Sequence, residues 1–110
     1  MEWLSQRQTE FGGFNGRTNK LIDSCYSFWV GSVFNIVNDY FGGKASQDSH
    51  LLYLEVDLQK YIIFYCQDLK RGGLCDKPGK NRDIYHTCYA LSGLSASQQL
   101  SGCLNDIKLQ

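Results

Sequence analysis

The chain has 110 residues, of which 43% are hydrophobic, and its 11 Lys and Arg residues balance its 11 Asp and Glu residues. This length suits one small domain, and the balanced charge argues against a protein that coats nucleic acid or a helix that lies on a membrane surface. No apolar run approaches the about 20 residues that cross a bilayer, so no transmembrane segment is predicted.

The predicted elements are mainly helices, because apolar residues recur at helical spacing along most of the chain. The stretch from Tyr61 to Tyr65 is too short to favour a strand and fits a helix better. In chain order the predicted helices are the end of one at Glu2 to Thr9, and three others at Tyr26 to Phe41, about Ser49 to Cys66, and Asp83 to Leu94. The sequence therefore predicts an all-α protein.

The segments between these helices carry turn and loop signals. Gly42-Gly43 ends the helix from Tyr26, and the polar stretch Lys44 to Ser49 follows as a loop. Gln67 to Arg82 is rich in Gly, Lys and Asp, and its Pro78-Gly79 pair predicts a type II turn. After Gln98 the periodicity weakens, and we expect the tail 99–110 to be disordered.

An internal repeat has a period of 60 residues. Gly12-Gly13 and Gly72-Gly73 are each followed, at the same distance, by an Asp that precedes an apolar helix, namely Asp23 and Asp83. Asp is a favoured N-cap, so each unit is a glycine turn, a polar loop and a capped helix. The repeats span about residues 8–40 and 67–98 of a single domain, 1–110. Helical hairpins of this kind stack into longer α/α arrays.

The repeat brings three metal-ligating residue types to one rim. Cys25 and His86 lie in the first turns of equivalent helices, and Asp23 lies just before the first of them. Oxygen, sulfur and nitrogen ligands with a fourth position open are typical of catalytic zinc, and a helix start is expected to lower a thiol pKa. The alternative is a helix cap, a core thiol and a partly buried histidine.

Cationic and aromatic residues accompany these ligands. Arg17 and Lys20 in the glycine-rich loop, with Tyr26 in the first helical turn, make a phosphate site or else a solvated basic loop. Asp76 and Lys80 flank the Pro78-Gly79 turn, where they either meet a metal diphosphate or solvate the turn. Three aromatic residues either line an apolar ligand cavity or form plain core: Phe28, Trp29 and Tyr85.

Two segments resemble successive signatures of the protein prenyltransferase β-subunit family. They are residues 12–29, GGFNGRTNKLIDSCYSFW, and residues 72–95, GGLCDKPGKNRDIYHTCYALSGLS. The resemblance extends over about residues 2–99. Arg17 to Leu21 favours the farnesyl type, because geranylgeranyl relatives tend to have Pro after that Arg.

The resemblance implies an α-α toroid and a set of site residues. It implies zinc bound by Asp23, Cys25 and His86, and a diphosphate of farnesyl diphosphate held by Arg17, Lys20 and Tyr26. Asp76 matches a position implicated in a magnesium site. Trp29 and Tyr85 match positions that line the isoprenoid and peptide cavity.

The implied activity is transfer of farnesyl from farnesyl diphosphate to the cysteine of proteins that end in Cys-a-a-X, by a heterodimer with an α subunit. The alternatives are a geranylgeranyltransferase type I β subunit and a non-catalytic truncated isoform. Ser24 stands where the family commonly has Gly, and one residue is missing between Gln8 and Gly12. Because the family's chains are several times longer, these residues alone are expected to be inactive.

Overall fold

The structure, a computed structural model, describes residues 2–41 and 53–109. Within these ranges all regular structure is helical, and β-type pairing is limited to four isolated bridges. The helices are α1 (Glu2–Ser5), α2 (Tyr26–Trp29), α3 (Gly31–Tyr40), α4 (Glu55–Lys60) with a π-helical turn at Tyr61–Tyr65, and α5 (Ile84–Leu109). The all-α prediction is confirmed. The Gly42-Gly43 stop, the loop from Lys44 and the helix start at Ser49 fall outside the described residues.

The helix predicted from Tyr26 to Phe41 is two helices that meet at Val30. The Val30 N–H still bonds to the carbonyl of Tyr26 at 2.9 Å, but the Val33 N–H bonds to the carbonyl of Val30, three residues back, at 3.2 Å. The hydroxyl of Ser32 also donates to the carbonyl of Phe28. The hydroxyl of Ser92 bonds to the carbonyl of Cys88 in the same way inside the continuous helix α5. The separation of α2 and α3 is therefore a local shift of the backbone from four-residue to three-residue bonding at Val30.

The first and last helices also differ from their predicted lengths. α1 ends at Ser5 rather than Thr9, because Gln8 is drawn into a bridge with Phe14. α5 runs to Leu109 instead of ending near Leu94, through the tail predicted to be disordered. Its inward stripe continues past Leu94, since Ser97 is 0% and Leu100 2% exposed. Burial against the rest of the chain therefore extends this helix.

The two repeats share one hydrogen-bonding pattern. The bridges Gln8–Phe14 and Asn15–Ile22 recur as Gln67–Leu74 and Cys75–Arg82. The left-handed backbone of Asn19, φ 62°, recurs 60 residues later at Gly79, φ 90°. There the Lys80 N–H bonds to the carbonyl of Lys77 at 3.1 Å, as the predicted type II turn requires. The offset is 59 residues before the glycines, at Gln8 and Gln67, which matches the missing residue before Gly12.

The core lies where α5 crosses the other helices. Its most buried large side chains are Phe14, Phe34, Leu58, Tyr61, Ile62 and Leu100. A Cβ added at Gly93 of α5 would lie 2.2 Å from Cβ of Ser27, so α2 and α5 touch through a glycine. This close contact holds α2 against α5. The predicted ligands lie at the N-terminal ends of these helices, Asp23 and Cys25 just before α2 and His86 in the first turn of α5.

In the part of the chain that the structure describes, no helix is both long enough and apolar enough to cross a bilayer.

Candidate metal centre

Asp23, Cys25 and His86 meet at the junction of the two repeats. One ligand atom from each lies within 4.8 Å of the others, and Nε2 of His86 is 3.1 Å from Oδ1 of Asp23. The thiol of Cys25 is buried, and the other two side chains are partly exposed. Cys25 and His86, which are 61 positions apart in sequence, are thus brought together, as the stacking of two repeats allows.

The Asp23 carboxylate is held by the turn that begins α2. The backbone N–H of Asp23 donates to the carbonyl of Phe14 at 3.1 Å, and its Oδ1 accepts the N–H of Cys25 at 2.8 Å. Asp23 therefore lies outside the regular helix. This position lets side chains only two residues apart face the same point, which they could not do inside a helix.

His86 is oriented by a second carboxylate. Asp83 caps α5, its Oδ1 accepting the His86 N–H at 2.7 Å, and its Oδ2 lies 2.7 Å from Nδ1 of the His86 ring. Because a carboxylate only accepts hydrogen bonds, Nδ1 carries a proton, and Nε2 is the nitrogen directed at Asp23 and Cys25. Metal-binding histidines are commonly oriented in this way.

Burial and the neighbouring carboxylates shift the pKa values of Cys25 and His86. Burial raises the pKa of the Cys25 thiol to about 12, and the neighbouring Asp23 carboxylate adds to this increase. We expected the start of α2 to lower the pKa of Cys25, and that expectation is wrong. Desolvation of the thiol outweighs the effect of the helix start. Burial lowers the pKa of His86, but hydrogen bonds and charge from Asp83 and Asp23 outweigh burial and leave that pKa raised.

The ligand set fits zinc better than a hard cation. Zinc binds Cys, His and carboxylate ligands at about 2.0–2.3 Å, which places tetrahedral ligand atoms about 3.3–3.8 Å apart. The observed separation of 3.1 Å between Nε2 and Oδ1 is slightly below this range, and the limit of 4.8 Å for the cluster is above it. The three ligand atoms therefore have to move by up to about 1 Å relative to one another to bind one zinc ion. Magnesium and calcium prefer oxygen ligands, and a thiolate disfavours both.

Four aromatic side chains form a cluster beside the ligands. The rings of Trp29 and Tyr89 are 4.6 Å apart and those of Tyr85 and Tyr89 4.8 Å apart, while Phe28 packs on both Trp29 and Tyr89. Trp29 Nε1 donates to the Tyr85 hydroxyl at 3.1 Å, and that hydroxyl also contacts the Cys25 thiol. The predicted residues Trp29, Phe28 and Tyr85 therefore belong to one surface that adjoins the ligands. With Trp29 46% and Tyr85 48% exposed, this surface is open rather than core.

The predicted phosphate residues lie in the loop before α2. Arg17 and Lys20 are exposed, and their turn is closed by a bond of 3.3 Å from the Lys20 N–H to the Arg17 carbonyl. The Tyr26 hydroxyl packs against Gly16, where an added Cβ would lie 2.4 Å from it. The Tyr26 side chain therefore lies beside the loop that carries both cations. Tyr26 is also the first residue of α2, directly after Cys25.

Asp76 is next to the three-residue cluster but is not one of its members, and its charge adds to the rise that burial causes in the pKa of Cys25. Its Oδ2 pairs with Nζ of Lys77, and its Oδ1 is buried without a hydrogen-bond partner among the described residues. Its backbone carbonyl accepts the Tyr61 hydroxyl at 3.2 Å and the Ser24 N–H at 2.9 Å. Lys80, on the other side of the turn, is exposed.

Sequence reasoning missed two participants. Tyr89 was not singled out from the sequence. It is the residue of the second repeat that is equivalent to Trp29, 60 positions later, and this equivalence is the signal that could have identified it as part of the aromatic cluster. Asp83 was predicted only as an N-cap, and its second role toward His86 follows from the spacing of three between them, which places the carboxylate next to the ring.

Comparison with known proteins identifies the family to which this fold belongs. A family model described as the prenyltransferase alpha-alpha toroid domain matches residues 1–109. The chain is 45% identical over 111 residues to the protein farnesyltransferase subunit beta of Dictyostelium discoideum, covering 87% of this chain and 22% of that protein. It is 48% identical over 105 residues to the same subunit of Pyricularia oryzae, covering 89% and 20%.

A solved structure is also similar. The protein geranylgeranyltransferase-I of Candida albicans, complexed with GGPP, matches with a TM-score of 0.71 and 27% identity, over 93% of this chain and 30% of that one. The chain spans about a fifth of the length of the two curated relatives. Sequence and backbone geometry thus point to the same kind of fold.

Proposed function

The chain belongs to the prenyltransferase alpha-alpha toroid family, and we propose that it carries the zinc-binding part of the active site of a protein farnesyltransferase β subunit. The observation that supports this most is the convergence of Asp23, Cys25 and His86 beside an open aromatic surface. The substrates proposed are farnesyl diphosphate and proteins that end in Cys-a-a-X. An α subunit is the proposed partner and the cytoplasm the proposed location.

The proposed reaction forms a thioether. A zinc ion held by Asp23, Cys25 and His86 would bind the substrate thiol and favour its thiolate near neutral pH. The thiol proton goes to solvent, the sulfur forms a bond to C1 of the farnesyl chain, and the C1–oxygen bond breaks with its electron pair on the leaving diphosphate. Atoms and charge balance without any further reactant.

The residues of the glycine-rich loop are assigned to the leaving group. Arg17 and Lys20 would neutralise the charge that grows on the diphosphate, and the Tyr26 hydroxyl would donate a hydrogen bond to it. Support comes from the position of the Tyr26 hydroxyl against Gly16, next to Arg17. A buried Oδ1 without a partner also supports Asp76 as a magnesium ligand near the same diphosphate.

The aromatic cluster is assigned to the isoprenoid and the peptide. Trp29 and Tyr85 would bind the apolar chain and exclude water from C1, which would otherwise hydrolyse the diphosphate. Their partial exposure next to Cys25 leaves a face on which a lipid can lie. Tyr89 extends this surface along α5.

The test compares two cysteines in the complete protein that contains these residues, purified with its α subunit. Cys25→Ala is expected to lose bound zinc in metal analysis and farnesyl transfer to a Cys-a-a-X peptide. Cys88→Ala is the control, because Cys88 is exposed and outside the cluster. Full zinc occupancy in Cys25→Ala overturns the assignment of the site.

A geranylgeranyltransferase type I subunit is the second candidate, favoured by the backbone similarity to the Candida albicans enzyme. Competition between farnesyl and geranylgeranyl diphosphate in the complete enzyme decides between the two. A third candidate is a non-catalytic short form. It is tested by incubating the 110 residues with both substrates, with and without an α subunit, and no turnover is expected from the chain alone.

A further inference from the structure

Arg7 is a buried arginine, 4% exposed, whose partners are all neutral. Its Nε donates to the carbonyl of Trp3 at 3.2 Å, and a terminal nitrogen donates to the hydroxyl of Thr18 at 3.1 Å. Its guanidinium carbon lies 4.6 Å from the centroid of the Trp3 ring. None of the ion pairs among the described residues includes Arg7. A buried arginine is usually paired with a carboxylate, so this unneutralised charge calls for an explanation.

Arg7 is attached to the loop that carries the predicted phosphate residues. Its carbonyl accepts the N–H of Asn15 at 2.9 Å, at the start of this loop. Its guanidinium reaches Thr18, which lies between Arg17 and Lys20. A third positive charge therefore lies on the protein side of a turn whose own two cations are exposed.

This charge is not needed to build the loop. In the second repeat Cys66 is equivalent to Arg7, and its carbonyl accepts the N–H of Cys75 at 2.8 Å, as the carbonyl of Arg7 accepts that of Asn15. Cys66 is 0% exposed, and burial raises the pKa of its thiol to about 12, so this side chain is neutral. The same backbone thus forms around an uncharged residue, and the charge of Arg7 requires a reason other than folding of the turn.

The bond to Thr18 locates the guanidinium, but it is not the essential feature. Geranylgeranyl relatives tend to have Pro at position 18, where no hydroxyl is available, and the equivalent residue of the second repeat is Pro78. A positive charge acts over several ångströms without such a bond, especially where protein excludes part of the solvent. The charge of Arg7 is therefore the property from which the inference follows.

We propose that Arg7 is a positioning residue for the diphosphate, whose buried positive charge strengthens binding of the anion to Arg17 and Lys20 without touching it. The inference rests on the proposed function in taking this loop as the diphosphate site. Salt screens a buried charge less than it screens exposed side chains. Arg7 therefore adds an attraction for anions that persists at high ionic strength.

The test measures binding of farnesyl diphosphate, without a Cys-a-a-X peptide, to the complete protein with its α subunit. Arg7→Gln removes the charge, and Arg7→Lys retains it with fewer donors. Farnesol is the neutral probe, because it has the same chain without the diphosphate. Arg71→Gln is the control, since Arg71 is exposed and paired with Asp68 at 2.9 Å. Thermal unfolding reports the stability of each variant.

The expected result is a loss of about 10-fold in affinity for farnesyl diphosphate in Arg7→Gln, with the affinity for farnesol unchanged. The loss should persist at high salt. Arg7→Lys should keep most of the wild-type affinity even where its unfolding temperature falls, and Arg71→Gln should match the wild type. Thr18→Ala and Trp3→Ala each remove one partner of Arg7 and leave its charge, so both should keep the affinity.

Other results overturn the inference in distinguishable ways. Equal losses for farnesyl diphosphate and farnesol in Arg7→Gln mean that Arg7 only supports the fold, and wild-type affinity in this variant means that its charge does not reach the anion. If Arg7→Gln does not fold, Arg7→Lys decides, because a purely structural role predicts that its affinity falls with its stability. In these cases the proposed function stands. If Arg17→Gln and Lys20→Gln also keep the wild-type affinity, the diphosphate site of the proposed function fails, and the role of Arg7 fails with it.

Discussion

The carboxylate of Asp83 holds both the backbone and the ring of His86, with Oδ1 2.7 Å from the backbone nitrogen and Oδ2 2.7 Å from Nδ1. Helix capping and ring orientation therefore depend on one side chain. The arrangement leaves Nε2 directed at Asp23, and it predicts that the two roles of Asp83 can be separated by substitution.

Asp83→Ala should lower zinc affinity by about 10- to 100-fold, since the ring loses the partner that orients it. It should also cost about 0.5–2 kcal/mol of stability through the lost N-cap. Asp83→Asn can still accept the His86 N–H, but it offers no second carboxylate oxygen to Nδ1. We expect Asn to restore stability more than zinc affinity, measured by chemical denaturation and chelator competition.

Asp68→Ala is the control for this pair, because Asp68 also accepts two backbone N–H groups but lies in a turn outside the metal cluster. Zinc affinity should be unchanged in Asp68→Ala. Wild-type zinc affinity in Asp83→Ala would contradict the orienting role.

Zinc affinity should rise with pH. Burial raises the pKa of Cys25 to about 12, and the carboxylates of Asp83 and Asp23 raise that of His86 against the effect of its burial. Zinc must displace the thiol proton at neutral pH, and also the Nε2 proton wherever His86 is still protonated. Calorimetry in buffers of different ionisation enthalpy counts these protons. More protons should be released below the His86 pKa than above it, and proton release that does not change with pH would contradict this.

Gly93→Ala should destabilise the fold, since its Cβ would lie 2.2 Å from Cβ of Ser27, where overpacking costs about 1–3 kcal/mol. Gly31→Ala is the matched control in α3, because its Cβ would meet Phe14 at an ordinary 3.6 Å. This control should be neutral or gain up to about 1 kcal/mol in helix propensity. Denaturation midpoints distinguish the two, and equal midpoints would refute the close crossing of α2 and α5.

Trp29→Ala should weaken binding of a fluorescent farnesyl diphosphate analogue by about 1.5–3 kcal/mol, because it removes a half-exposed apolar ring that the bound lipid would cover. Tyr85→Phe keeps the ring and removes only the acceptor for Trp29 Nε1, so its effect should be smaller. Trp3→Ala, which removes a ring stacked on Arg7 instead, is the control. Equal affinities in Trp29→Ala and Trp3→Ala would exclude the aromatic cluster as the lipid surface.

Periodicity in the sequence indicated which parts of the site are equivalent, and the family resemblance was needed to choose the metal site over the alternative of a cap and a core thiol. The 60-residue offset placed Asp23 and Asp83 before equivalent helices, and stacking of these units allowed the convergence of Cys25 with His86 that the structure has. Turn chemistry was equally local, since Pro78-Gly79 alone predicts the positive φ observed at Gly79.

Features that depend on tertiary packing could not be predicted in the same way. The break at Val30 is a shift in backbone bonding that no residue type marks, because the hydroxyl of Ser92 makes the same bond as that of Ser32 and α5 continues through it. The length of α5 depends on Ser97 and Leu100 being covered by other helices. The pKa of Cys25 was expected to fall, and it rises because burial by distant segments outweighs the effect of the helix start.

Asp23 and Asp83 occupy equivalent positions of the two repeats, and this bears on whether one repeat alone could form the ligand cluster. Both residues follow the same glycine turn at the same distance, yet one is directed at the ligand cluster and the other orients a ligand. The ligand cluster therefore requires both repeats in this order along the chain, and a single repeat could not form it. A permuted chain with the second unit placed before the first would retain both glycine turns and both capped helices, and it would have no metal centre.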